Sequence, residues 1–347
     1  MAYKIALYPG DGIGPEVVAE AEKVIKKVNL DCTTTKFDWN SSLYAKIGHC
    51  APEDFIEQLR GYDAILLGAL GNKDKAPEHV AVEPLLMMRK NFDQYVNIRP
   101  SVLLPGVGTP LKDKKEFDID LVCIRENTEG EYTTLGGRHY VGTQQECAMQ
   151  INYFTRIGVE RIIRYAFETA KKRVKKHVTS ITKSNVLKYS MVMWDEILEE
   201  VAADYPDIKY TKMYVDAAAM NLVRCPETFD VIVASNLFGD ILTDISAIVT
   251  GGIGFAGSAN LNPTREMPSM FEPVHGSAPD IAGQQKANPI AAIMSCAMMI
   301  EFLGEKEIAK KIEAAVIEHL KDDKVKTPDR GGNNKTSEVG DDIVARL

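Results

Sequence analysis

Three groups of residues in this chain have the types and spacings that do chemistry. The first is the carboxylate pair in Leu237-Phe238-Gly239-Asp240-Ile241-Leu242-Thr243-Asp244. On a helix starting near Leu237, Asp240 and Asp244 lie at i and i+4 and repel unless a cation or basic group sits between them. The bland reading is an acidic helix start favoured by the macrodipole. The apolar neighbours Leu237, Phe238, Ile241 and Leu242 argue instead for a buried hard cation on carboxylate oxygens. Asp216, following Lys212-Met213-Tyr214-Val215, is a third candidate ligand, and residue chemistry alone leaves both readings open.

The second group is three arginines at the ends of apolar elements. Arg89 follows Leu85-Leu86-Met87-Met88, Arg99 follows Tyr95-Val96-Asn97-Ile98, and Arg125 follows Leu121-Val122-Cys123-Ile124. Guanidinium forks match carboxylates in two-point geometry, although each arginine taken singly is equally an ordinary ion-pair member. The third group is Tyr132 and Lys183. A lysine beside a metal and arginines has its pKa lowered and can act as a base, and a tyrosine can protonate an enolate. Neither residue by itself exceeds a surface lysine or a packed tyrosine.

Strand-length apolar runs alternating with helical patterns position these groups, which indicates α/β layers. Lys4–Tyr8 reads as a strand, Pro9–Gly14 as a turn, and Pro15 opens a helix running to Val28. The turn spells Gly10-Asp11-Gly12-Ile13-Gly14, spaced G-x-G-x-G rather than the dinucleotide fingerprint G-x-G-x-x-G. It therefore reads as a turn beside a ligand in some other fold. Further strands are expected at residues 64–68, 119–124, 177–182 and 229–234, and helices at 160–176 and 184–205. Met191, Trp194, Leu198 and Val201 form the packing face of the last of these. Residues 131–152 alternate Tyr, Thr, Gly and Gln without helical period and read as a projecting β-arm suited to a dimer contact.

Bulk composition removes several alternatives. The 347 residues carry 41 Lys+Arg against 49 Asp+Glu, a formal net charge of -8, which argues against a broad nucleic-acid or anionic-membrane surface. The longest apolar stretch, residues 289–300, is too short to span a bilayer and reads as a buried or interface helix. The start reaches Pro9-Gly10 too soon for a secretory signal, and the six cysteines show no metal or disulfide spacing. A cytoplasmic protein with reduced thiols is expected.

Taken in order, Pro9–Glu16, Asn97–Pro100, Arg125–Tyr132, Thr182–Asn185, Tyr214–Asp216, Asn236–Asp244 and Glu272–Asp280 resemble one family along nearly the whole chain. It is the β-decarboxylating dehydrogenases acting on isocitrate, 3-isopropylmalate, homoisocitrate, and D-malate or tartrate. The resemblance implies a two-domain α/β fold with one large mixed sheet, distinct from a Rossmann fold. Residues 1–96 plus 251–347 would build the cofactor-side domain, and residues 97–250 the substrate and dimerisation domain. It implies a homodimer at least, with Lys183 and Asp216 reaching into the partner's site.

It also implies roles. Arg89, Arg99 and Arg125, with Leu85 and Leu86, would bind substrate; Tyr132 and Lys183 would be catalytic; Asp216, Asp240 and Asp244 would hold Mg2+ or Mn2+, with K+ as a further activator. Gly12, Ile13, His275, Gly276, Ser277, Ala278, Asp280 and Asn288 would bind the cofactor. Asp280 resembles the acid of NAD-specific members, where it bonds ribose hydroxyls, and NADP-specific isocitrate enzymes carry Lys-Tyr at Asp280-Ile281. The isocitrate enzymes place Ser and Asn at Glu83 and Leu85, which disfavours isocitrate. Leu85-Leu86 resembles the isopropylmalate enzymes, yet their Glu is replaced by Val82. Glu131–Arg138, Asn260–Pro263 and Lys326–Asp329 resemble the D-malate/tartrate branch, so the expected reaction is NAD-dependent, metal-dependent oxidative decarboxylation of D-malate or tartrate. A 3-alkylmalate such as 3-isopropylmalate is the alternative substrate, and a non-catalytic regulatory subunit the remote one.

Overall fold

The computed structural model describes residues 2–347. Ten strands form one mixed sheet: β1 (Tyr3–Gly10), β2 (Cys32–Lys36), β3 (Ala64–Ala69), β4 (Val96–Val102), β5 (Asp120–Glu126), β8 (His177–Thr182), β9 (Lys209–Tyr214), β10 (Val231–Ala234), β11 (Gly257–Leu261) and β12 (Ser269–Pro273). The other two strands, β6 (Gly136–His139) and β7 (Cys147–Gln150), pair only with each other. The sheet order is β2-β1-β3-β12-β11-β4-β5-β10-β8-β9. Pairing is antiparallel at β12–β11, β11–β4 and β4–β5 and parallel elsewhere. The three antiparallel steps sit mid-sheet, so the two flanks run in opposite senses and their carboxyl ends lie at opposite ends of the sheet.

Pro15 lies in the first turn of the helix Gly14–Lys27, whose apolar face Val17, Val18, Ala21, Val24 and Ile25 is buried. The helix Ile290–Leu303 is apolar almost all round and lies within the core, as a helix hydrophobic on every side must. No helix among the described residues is long and apolar enough to cross a membrane. All six cysteines are free.

Two helices differ from expectation at both ends. The helix expected over 160–176 spans Arg156–Lys171, because the Thr155 side chain accepts from Gly158 N and sets the start earlier. The helix expected from Ser184 begins at Ser190 instead. Residues 183–189 are spent on a turn in which the Lys183 carbonyl accepts from Val186 and Leu187. Its packing face is as expected, with Met191, Trp194, Leu198 and Val201 buried. The β6–β7 ribbon is exposed along both strands and is tied to the body by the Gly130–Tyr153 bridge.

Candidate active site

The centre of the sheet supplies the arginines. Asn97 of β4 stands opposite Arg125 of β5, and Arg99 lies two residues on, so the pleat puts Arg99 and Arg125 on one face. The helix Glu83–Asn91 adds Leu85, Leu86 and Arg89, spaced to share a stripe one turn long. All three arginines line a cavity of about 550 Å³ together with Leu85, Leu86, Tyr132, Asp240, Glu272, His275 and Gly276.

Burying three guanidiniums is costly unless acceptors meet them. Arg89 donates to Glu272 Oε1 at 3.0 Å, and Asn260 donates to the same oxygen at 2.8 Å. Arg99 donates to Asp240 Oδ1 at 3.2 Å and to Thr243 Oγ1 at 2.8 Å. Arg125 donates to Asp240 Oδ1 and, through Nε and Nη2, to Asn236 Oδ1 at 3.1 and 2.6 Å. The Nε groups of Arg89 and Arg99 are buried without acceptors, so donor capacity remains for an anion. Gly239 makes room for this packing: a Cβ there would lie 2.7 Å from Arg125 Cγ.

Asp240 and Asp244 fall one turn apart on the helix Asn236–Val249. Burial pushes the Asp240 carboxyl up, but Arg125 and Arg99 outweigh it and hold it below the usual range. Asp244 is raised, by burial first and by the neighbouring Asp240 second. Asp244 is exposed and makes no side-chain hydrogen bond or ion pair among the described residues, so its carboxylate is open to a cation beside the pair. Tyr132 donates to Asp240 Oδ2 at 2.7 Å; burial and that bond raise its pKa and keep the phenol protonated.

Lys183 and Asp216 lie elsewhere. Lys183 Nζ donates to Asp216 Oδ1 at 2.9 Å, and neither residue is among those lining the arginine cavity. Among the described residues no group of three or more acidic, histidine or cysteine ligands assembles. One chain therefore brings two of the three expected metal ligands together and leaves the third outside.

Of the expected cofactor residues, Gly276, Ser277 and Asp280 line a second cleft of about 680 Å³, together with Leu70, Gly71, Asn72 and Val82 among others, while Gly12, Ile13 and Ala278 are not among its lining residues and His275 lines the arginine cavity. Gly12 has φ +59 and packs so closely that a Cβ would meet Ser277 O at 1.9 Å. Ile13 N donates to Ser277 O at 2.8 Å, and Ser277 Oγ donates to Gly71 O. Ala278 takes φ +38 in the turn that leads to Asp280 on the cleft wall. His275 is buried, its Nδ1 meets Gly276 O at 2.9 Å, and its Nε2 has no partner, which suits a polar ligand group. Asn288 lines neither cavity; it donates to Asp329 at 3.0 Å. The two cavities share Leu70, Val82 and Gly276 as a common wall.

Several contributors were given no role by the sequence, although Asn236, Glu272 and Glu131 lie in stretches that carry the family resemblance. Asn236 and Glu272 hold Arg125 and Arg89 across 111 and 183 residues. Glu131, Thr133 and Gln150 reach the arginine cavity from the base of the ribbon, although alternation alone marked that segment only as an arm.

A mixed sheet with arginines at its centre, an acid pair on a helix behind them and a glycine-lined cleft alongside defines a dehydrogenase architecture, and the comparisons agree. Residues 4–343 match the isocitrate/isopropylmalate dehydrogenase family, and the chain belongs to it. It is 49% identical to a decarboxylating D-malate dehydrogenase of Escherichia coli, over 98% of this chain and 97% of that one. It is 48% identical to a tartrate dehydrogenase/decarboxylase of Pseudomonas putida, over 100% and 99%. A 3-isopropylmalate dehydrogenase of Thermobifida fusca is 47% identical, over 99% and 97%. The crystal structure of an isocitrate dehydrogenase from Methylococcus capsulatus superposes with a TM-score of 0.90 at 38% identity, covering 99% of each chain.

Proposed function

We propose that this chain catalyses the NAD-dependent, divalent-metal-dependent oxidative decarboxylation of a malate-type 2-hydroxy acid, D-malate or tartrate. The observation that carries the reading is the convergence of Arg89, Arg99 and Arg125 on a cavity that also holds Tyr132 and Asp240 and shares a wall with the Asp280 cleft. A small dicarboxylate suits three guanidiniums, and the shared wall lets its C2 lie against a cofactor in the cleft.

Asp240 and Asp244, with Asp216 of a second copy, would hold the metal. Bound NAD supplies a hydride acceptor, and bound Mg2+ or Mn2+ supplies a Lewis acid at the C2 oxygen. The arginines orient the carboxylates, Lys183 of the second copy takes the hydroxyl proton, and Tyr132 protonates the carbon that has lost CO2. A homodimer supports this arrangement. Met220, Val223, Ile241 and Ile248 on the helices Val215–Arg224 and Asn236–Val249 are exposed apolar side chains of the kind a partner covers.

Substrate choice turns on two sets of lining residues. Val82, Leu85 and Leu86 form an apolar wall that favours a second reading, 3-isopropylmalate. Glu131, Thr133 and Gln150 add polar groups to the same cavity, which suits an unbranched or hydroxylated acid better than an alkyl branch. The test is NADH formation at 340 nm with D-malate, tartrate, 3-isopropylmalate and isocitrate, each with Mn2+ and K+ and with EDTA. Turnover of D-malate or tartrate, abolished by EDTA, is expected. Silence on every acid with metal present refutes the reaction class, and preference for 3-isopropylmalate refutes the substrate assignment.

A further inference from the structure

Asp11 is a buried carboxyl side chain, 4% exposed, and no Lys, Arg or His pairs with it. Its acceptors are instead occupied by neutral donors. Ser41 N donates to Oδ1 at 3.0 Å, Ser41 Oγ to Oδ2 at 2.8 Å, and Gly71 N to Oδ2 at 3.1 Å. Its own backbone N donates to Ala69 O at 2.8 Å. One side chain thereby joins the turn after β1, the short turn Ser41–Leu43 and the loop after β3. A buried acid without a cation is expensive, and its survival asks what those three donors need it for.

Gly71 answers that. It lines the Asp280 cleft and takes φ +117, while an added Cβ would meet only Ser277 Oγ, at 3.9 Å. Space does not fix this peptide, so its hydrogen bonds do. Its N–H is held by Asp11, and its carbonyl accepts from Ser277 on the opposite loop. The same Ser277 receives Ile13 N, two residues beyond Asp11. The two loops that wall the cleft, after β3 and at Gly276–Asp280, are therefore closed into one ring with the glycine-rich turn, whose Asp11 and Ile13 hold them without lining the cleft.

We propose that Asp11 is a positioning residue for the cofactor: it clamps the Gly71 peptide to the glycine-rich turn and so fixes the width of the cleft. This rests on the reading of that cleft as the NAD site. Asparagine is nearly isosteric but cannot replace it. In either amide orientation one backbone N–H, of Ser41 or of Gly71, faces an NH2 group instead of an acceptor.

The experiment is NAD binding by calorimetry, with steady-state kinetics beside it, on wild type, Asp11→Asn and Ser41→Ala. Asp11→Asn should raise the Kd and KM for NAD by about tenfold or more, the scale of a lost hydrogen bond to a charged acceptor. The KM for the dicarboxylate and kcat should stay within about twofold, because the arginine cavity is untouched. A general loss of structure would move all of these together. Should Asp11→Asn not fold, Ser41→Ala carries the test. It removes one donor, leaves the Gly71 bond in place, and should raise the Kd for NAD by about two- to threefold. An unchanged Kd in a folded variant overturns the clamp. Wild-type protein that binds no NAD overturns the reading of the cleft instead.

Discussion

Asn236 Oδ1 receives both Nε and Nη2 of Arg125, at 3.1 and 2.6 Å, and so fixes the plane of a guanidinium that is 1% exposed. Asn236 is itself anchored, its Nδ2 donating to Glu129 O at 3.1 Å. With Nη1 turned to Asp240, Arg125 has little freedom left. Such preorganisation removes the entropy of ordering a long side chain when a carboxylate arrives. Asn236→Ala should therefore raise the KM for the dicarboxylate by about tenfold or more, the scale of hydrogen bonds to a charged group. The KM for NAD should move little. Equal KM values for the dicarboxylate in variant and wild type would remove Asn236 from this role.

Tyr132 pairs with Asp240 at 2.7 Å and is kept protonated by burial and by that bond. A phenol so placed can give up its proton to a carbanion, the last step of the proposed sequence. Tyr132→Phe removes only the hydroxyl, so the fold should persist while kcat falls about 10²- to 10⁴-fold, the usual range for a lost general acid. Circular dichroism checks the fold, and full activity in a folded variant would exclude the role.

How far the sequence foretold this arrangement depends on the distance over which each signal acts. The i, i+4 pair Asp240 and Asp244 and the strand-end arginines were legible because helical and pleated periods are local. The late start of the helix after Lys183 was not, since nothing in the residue types of 183–189 announces that Val186 N and Leu187 N close a turn on the Lys183 carbonyl. Nor was Glu272 as the partner of Arg89, a contact made only when β12 enters the sheet beside β3. Lys183 and Asp216 are expected to serve the site of a second copy, a placement that one chain does not test. Within one chain they meet each other and not the cavity.

Asp280 lies on the wall of the second cleft, near Ser277 and Gly276. A carboxylate there can accept from ribose hydroxyls and repels a 2′-phosphate, since like charges brought together cost several kcal/mol. NAD should give the higher kcat/KM in the wild type. Asp280→Lys should shift the NADP-to-NAD ratio of kcat/KM upward by about tenfold or more. A ratio that stays put would place the adenosine end of the cofactor somewhere else.

His319 links stability to pH, far from the chemistry. It is 1% exposed, its Nδ1 lies 2.7 Å from Asp342 Oδ2, and its Nε2 has no partner. Burial lowers its pKa below the usual value for histidine; Asp342 pulls the other way and does not prevail. The folded protein therefore keeps His319 neutral as pH drops through about 6.5, where the unfolded chain takes up a proton. The unfolded state binds more protons in that window, so this contribution to stability is complete above about 6.5 and is lost as pH falls toward the folded pKa. His275, lowered by burial as well, acts in the same direction. Each such histidine contributes at most about 1.4 kcal/mol per pH unit. Thermal midpoints of wild type and His319→Gln at pH 7.5 and 5.5 check this. The wild type should lose more on acidification than the variant, whose amide can still donate to Asp342 but does not titrate. Parallel losses in the two proteins would mean that His319 does not carry the linkage.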